Sequence, residues 1–234
     1  MLERQPAPVR SAARNLLNEI KLARYVRRSS RQFELLKNNS SLKVHLGCGG
    51  DLKRGWINVD LVLNNSAPAM NGAAAPETVF INYDLRSGAL PLKDSSCDTI
   101  YSSHFFEHLD YKQGVALMRD CYRALRPGGT FRISLPNLRE LFSAYLRDDH
   151  EYLDLVEIEH ARPGVEPGTE TLVDYVNWAV YQYGEHKCIY DEEKVCLILR
   201  RIGFSSVAPE SFREEIDPDN ELRKRYSFYV EAVK

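Results

Sequence analysis

The chemistry in this chain gathers behind short apolar runs. Gly47-Cys48-Gly49-Gly50 follows the run Leu42 to Leu46, Asp60 ends a second run, Asp84 follows a third, and Ser103-His104-Phe105-Phe106-Glu107-His108 follows a fourth. A strand that enters glycines turns sharply and lets a ligand approach where a side chain would collide. An acid at the end of the next strand, Asp60, accepts both hydroxyls of a ribose lying across the strand ends, and Asp84 is placed to take an adenine amino group. Together the three signals predict an adenosine site. The loop is not a dinucleotide fingerprint, because Asp51 and Leu52 stand where further glycines belong. The step from Gly47 to Asp60 is also shorter than the roughly 20 residues of a dinucleotide fold, which argues against hydride transfer. His104, Glu107 and His108 add acid-base groups, histidine being the side chain whose ordinary ionisation lies nearest neutrality.

Holding such residues together takes a parallel sheet. Apolar periodicity predicts strands over 42–46, 56–61, 79–83, 97–102 and 130–135. It also predicts an amphipathic helix from Tyr111 to Leu125, with Val115, Met118, Cys121, Tyr122 and Leu125 on one face, ended by the breaker cluster Arg126-Pro127-Gly128-Gly129. Strand, loop, helix and strand in alternation imply an α/β doubly wound sheet covered on both faces. Residues 64–77, rich in Ala, Pro and Gly, read as a loop. From about 136 to 186 two helices, near 138–146 and 172–183, read as an insertion capping the sheet. A helix over 191–201, with Val195, Leu197, Ile198 and Ile202 as its apolar contacts, leads back to final strands near 205–208 and 226–233, the last antiparallel. The expected organisation is a basic helical extension and linker over 1–41 and one domain over 42–234.

At 234 residues and 44% hydrophobic, the chain is long enough for a full core. A net charge of −2 lacks the footprint of a dedicated polyanion binder, so no nucleic-acid partner is expected. The segment Met1 to Lys37 nevertheless carries nine Lys or Arg against three Glu, a net of +6. A cationic helix of this kind suits weak contact with a membrane surface or a protein, and a solvated extension is the plain alternative. The five cysteines are odd in number and form no CxxC pair, so neither a disulfide framework nor a zinc cluster is suggested, and a reducing cytoplasm is the expected setting. No stretch approaches the roughly 18 to 20 apolar residues of a membrane span.

Five segments resemble, in order, the motifs of class I S-adenosylmethionine-dependent methyltransferases. They are His45 to Gly50, Gly55-Trp56-Ile57-Asn58-Val59-Asp60-Leu61, Leu90-Pro91-Leu92 with Asp98, His104 to Leu109, and Leu125 to Gly129. The nearest group is the type 11 small-molecule methyltransferases, especially those encoded among polysaccharide-biosynthesis genes. The resemblance covers about 42–135 and continues less specifically through Glu185-His186-Lys187, Tyr190 to Glu193 and the last strand. It implies a seven-stranded, mostly parallel Rossmann-like sheet with S-adenosyl-L-methionine as cofactor. By the same resemblance Gly47, Cys48 and Gly49 line the methionine part, Asp60 with Leu61 the ribose, and Asp84 with Leu85 the adenine. Ser103 to His108 would then face the methyl group. The usual third glycine of the loop is absent.

The implied activity is O-methylation of a sugar, glycan or related small metabolite. His104, Glu107 and His108 are the candidates for base or substrate orientation, with His186 on the acceptor side. Plainer readings stand beside these: His104 as a packing or capping residue, and Glu107 as an acid answering a helix dipole. His160, beside Glu157 and Glu159, lacks paired ligand spacing, so no metal site is expected. Tyr175, Trp178, Tyr181 and Tyr183 read as core, with stacking on a sugar as the alternative. An RNA or protein acceptor is a rival class, but no Asp/Asn-Pro-Pro-Tyr/Phe tetrapeptide follows the fourth strand. A non-catalytic partner subunit is another.

Overall fold

The computed structural model of the chain describes residues 29, 31–34, 36, 39–62, 78–152, 171–219 and 221–234. Most of the basic N-terminal segment, all of the Ala/Pro/Gly-rich loop, and His160 with its acidic neighbours lie outside the described residues. No helix among the described residues is long and apolar enough to cross a membrane.

Seven strands form one sheet: β1 (Leu42–Leu46), β2 (Ile57–Asp60), β3 (Val79–Asn82), β4 (Cys97–Ser103), β5 (Leu125–Pro136), β6 (Ser206–Glu210) and β7 (Ser227–Val233). Their order is β3-β2-β1-β4-β5-β7-β6, parallel from β3 through β5, with β7 antiparallel to both neighbours. The chain order reverses between β1 and β4, and the crevice beyond the carboxyl ends of those two strands is where such sheets bind ligands. Both expected clusters, the glycine loop and the turn carrying His104, leave the sheet at this point. Val44, Leu46, Ile100, Phe131 and Ile133 are fully buried, as strands covered on both faces require.

Helix α1 (Tyr111–Ala124) starts on Asp110, which forms a capping box with Gln113. Its buried stripe is Gly114, Leu117, Met118, Cys121 and Ala124, so Val115 and Tyr122 flank the core rather than fill it. The breaker cluster after α1 is not a loop. It lies inside β5 as an irregularity: Cys97 pairs with Leu125, and the next register pair is Thr99 with Thr130. Helix α2 (Leu138–Leu146), capped by Asn137, and helix α3 (Leu172–Tyr181) build a second, smaller core from Leu138, Leu141, Ala144, Tyr152 and Tyr175. Trp178 packs against it, whereas Tyr181 and Tyr183 are exposed.

Helix α4 (Glu192–Ile202) has acids in its first turn and arginines in its last, both favourable to its dipole. Cys196 and Leu199 replace the expected Leu197 on its buried face, and Leu197 is exposed. A short helix α5 (Glu221–Tyr226), absent from the sequence expectation, delivers Tyr226 to the second core. Residues 29, 31–34 and 36 are helical, and Phe33 joins the main core edge-on to Tyr83 at 5.5 Å. All five cysteines are free.

One buried ion pair ties the sheet to the chain after β6. Arg132 of β5 and Asp217 are both fully buried at their side chains, and Arg132 Nε donates to Asp217 Oδ1 at 3.1 Å with Nη2 on Oδ2. Arg132 also donates to the Ser211 carbonyl at 2.7 Å and stacks over Tyr229.

Candidate active site

Beyond β1 the backbone turns through Gly47 at φ +63° and Gly49 at φ +51°. A Cβ on Gly47 would stand 2.1 Å from Phe105 Cγ, so the absent side chain is what lets the two strand-end turns close on each other. Gly47→Ala is expected to destabilise the fold by about 2–3 kcal/mol, from left-handed strain plus displacement of Phe105. A shift of the urea midpoint measures it. Gly49 and Gly50 face open space, with no atom within 4 Å of a built Cβ. Cys48 is buried, and burial pushes its thiol pKa far up, consistent with a small packing residue.

Asp60 ends β2 directly beneath this opening. Its Oδ2 accepts the Gly49 N–H and its Oδ1 the Leu61 N–H, each at 2.6 Å. Each carboxylate oxygen has two acceptor positions, so one on each remains for a ligand hydroxyl. At the end of β3, Asp84 caps the 3₁₀ turn Leu85–Ser87. Its Oδ1 takes both the backbone N–H and Nε of Arg86, and its Oδ2 takes Nη2, leaving acceptor capacity on Oδ2 alone. The Arg86 hydrogen bond holds the Asp84 carboxyl below its ordinary pKa. The Leu85 side chain is buried in the main core, so only its backbone is left to meet a ligand. Open glycines and an acid with free acceptor positions fit a nucleoside with vicinal hydroxyls.

Beyond β4 the chain is held in a tight turn. His104 takes φ +48°, uncommon outside glycine, its backbone N–H reaches the Ser134 carbonyl, and Phe106–His108 forms a 3₁₀ turn. The Ser103 hydroxyl is tied to Ser134 at 2.9 Å inside the sheet. His104 Nε2 lies 2.7 Å from Ser227 Oγ, and its Nδ1 is 3.6 Å from Glu107 Oε1. Glu107 does not serve as a surface acid answering a dipole. It is 2% exposed, neither carboxylate oxygen has a hydrogen bond, and burial pushes its pKa up to about 8 against the opposing pull of its own backbone and Arg223.

His186 reaches this turn because the backbone N–H groups of Lys187 and Cys188 both donate to the Glu107 carbonyl, at 2.7 and 3.2 Å. Its ring meets His108 edge-on at 4.9 Å, and its Nδ1 contacts the Ala179 carbonyl at 2.9 Å. Burial, then His108, brings the His186 pKa down to about 4. Burial also lowers that of His108, with Glu185 and Asp60 acting the other way. Burial therefore favours the neutral form of both rings.

These residues floor a half-open pocket that is also lined by Asn137, Trp178 and Arg223. Its other walls come from α2, α3 and α5. The close approach of Gly47 to Phe105 sets the glycine loop beside the turn that floors this cavity. The structure thus brings His104, Glu107, His108 and His186 into one pocket, with Asp60 and Gly49 on its flank, while Asp84 and Leu85 lie at the next strand end. Arg223 was missed as a pocket residue, whereas Trp178, given sugar stacking as its alternative role, lines the pocket. Trp178 was read as core by default, and Arg223 gave no signal because α5 was not foreseen.

Comparison with known proteins agrees with this geometry. Residues 44–133 match the family model described as a methyltransferase domain. A 58-residue stretch is 45% identical to a Mycolicibacterium smegmatis protein described as "Probable S-adenosylmethionine-dependent methyltransferase", covering 23% of this chain. That match spans only 21% of the relative's length. Among solved structures, a SAM-dependent methyltransferase of Archaeoglobus fulgidus superposes with a TM-score of 0.50 at 18% identity, over 93% of this chain and 94% of that one. A Haloferax volcanii protein solved with the Trm112 methyltransferase activator gives 0.54 at 15% identity, over 95% and 94%. At these identities the structures speak for the fold alone. Residues 44–133 are thus similar to a methyltransferase domain, and the seven-stranded sheet around them has the class I methyltransferase fold, with S-adenosylmethionine as the cofactor.

Proposed function

We propose that the chain transfers a methyl group from S-adenosylmethionine to a hydroxyl of a sugar, glycan or related polar small molecule. The observation that carries this reading is the half-open pocket beside the turn that packs on Gly47, lined by Leu138, Tyr152, Trp178 and Tyr226 together with His104, Glu107, His108 and Arg223. Aromatic and apolar walls with a few converging polar groups suit one small polar acceptor.

When bound, the cofactor supplies a methyl group activated on a sulfonium sulfur. Asp60 and the Gly49 loop hold its ribose side, and the pocket fixes the acceptor, so most of the rate gain comes from alignment. With the acceptor hydroxyl aligned on that methyl group, His104 would take the hydroxyl proton. His104 suits that role: its Nε2 lies at a hydroxyl already, that of Ser227, while Glu107 stands on the Nδ1 side. The setting inferred from the cysteine pattern is a reducing cytoplasm, and the basic N-terminal segment is a weak contact for a membrane surface or protein. The experiment is methyl-labelled cofactor with a panel of sugars and glycan fragments, read by mass spectrometry of the products. Methyl ethers formed only with the protein present support the reading. Label on nitrogen or on protein instead of on a hydroxyl would refute the acceptor class.

A further inference from the structure

Glu107, His108 and His186 converge in a way that methyl transfer alone does not require. One ligand-capable atom of each, a carboxylate oxygen and two ring nitrogens, lies within 4.8 Å of the other two. We propose that these three side chains bind one divalent transition-metal ion on the floor of the acceptor pocket.

The donor set comes first. Two imidazoles and one carboxylate are borderline ligands suited to Mn²⁺, Fe²⁺, Co²⁺ or Zn²⁺ rather than to Mg²⁺ or Ca²⁺, and three protein ligands leave coordination positions open for water or substrate. Glu107 is the second argument. A carboxyl group that is 2% exposed with neither oxygen hydrogen-bonded is costly unless something on its open side holds it, and that side is the pocket. His104 and Arg223 face the same carboxyl, His104 Nδ1 at 3.6 Å, but neither gives it a hydrogen bond.

The third argument is orientation. His186 Nδ1 is engaged by the Ala179 carbonyl, which fixes the tautomer and leaves Nε2 as the ligating atom, the arrangement that usually supports a metal-bound imidazole. The backbone is built to hold the set. The 3₁₀ turn fixes Glu107 beside His108, and the two hydrogen bonds from Lys187 and Cys188 onto the Glu107 carbonyl fix His186 against both. An ion here would take acceptor oxygens as further ligands and make a bound hydroxyl more acidic. That role rests on the methyl-transfer reading, whereas the metal site itself does not.

The test titrates the tag-free full chain, stripped with a chelator, with Co²⁺ while its visible absorption is recorded. The expected result is a ligand-field spectrum saturating at one equivalent, with affinity about tenfold or more weaker in Glu107→Gln and in His186→Ala. S-adenosylmethionine affinity, measured on the same samples, is expected to be unchanged in both variants. No saturable Co²⁺ spectrum in the wild-type chain would overturn the proposal, as would full-affinity binding in both variants or a sulfur-to-cobalt charge-transfer band placing the ion on a cysteine. The wild-type titration decides even where a variant fails to fold. Failure of S-adenosylmethionine to bind, with Co²⁺ binding intact, would strike the methyl-transfer reading and leave the metal site standing.

Discussion

His104→Asn is expected to lower the methyl-transfer rate by about 10²–10⁴-fold, the range spanned by a positioned general base. Affinity for S-adenosylmethionine should stay near the wild-type value. Asparagine is the informative replacement because His104 sits at φ +48°. Asn tolerates that left-handed conformation several-fold better than most residues, so the turn before Phe105 keeps its shape while the basic nitrogen beside Ser227 is lost. An alanine would mix backbone strain with lost chemistry. Single-turnover rates and cofactor titrations on one preparation separate the outcomes. Loss of rate at constant affinity supports the base, and an unchanged rate would assign His104 to packing.

Asp217→Ala is expected to destabilise the fold by about 3–5 kcal/mol, because it strands the Arg132 guanidinium, fully buried in β5, without its carboxylate. The ring of Tyr229 and the Ser211 carbonyl remain for Arg132, and the one carboxylate left near it, that of Glu231 at 3.8 Å from Nη1, is already paired with Arg213. The double replacement Arg132→Met with Asp217→Ala should recover much of the loss, since apolar groups of similar volume need no partner. Urea unfolding of the three variants measures this. Equal losses in the single and double variants would show that the residues matter for shape and not for charge.

What the sequence made legible is local. The glycine turn, Asp60 and Asp84 each follow directly on an apolar run, so a reader of β1, β2 and β3 finds them within a few residues of a strand end. The antiparallel β7 was equally open to view. Features made by distant segments were not. Arg132 and Asp217 are 85 positions apart, and nothing near either names the other. Glu107 was a candidate for base or substrate orientation with a helix-dipole acid as the plainer alternative, and its burial and the placing of His186 beside it depend on the return of residues 187 and 188 onto its carbonyl. A search for metal spacing along the sequence stopped at His160, because ligand spacing is diagnostic only where ligands share an element. Smaller misreadings have similar causes. Leu197 is apolar at a plausible helical position, yet α4 turns Cys196 and Leu199 inward. The Pro127-Gly128-Gly129 cluster breaks a helix but is accommodated inside a strand, where the register shift between Cys97 and Thr99 absorbs it.

The central claim is that the strand ends of β1 and β2 hold S-adenosylmethionine, and calorimetric titration of the wild-type chain beside Asp60→Ala tests it most directly. The account expects one cofactor bound per chain, displaced by S-adenosylhomocysteine. It also expects affinity roughly a hundredfold or more lower in Asp60→Ala, where two hydrogen bonds to a charged acceptor are lost. Absence of saturable binding by the wild-type chain, or equal affinity in the two proteins, would contradict it.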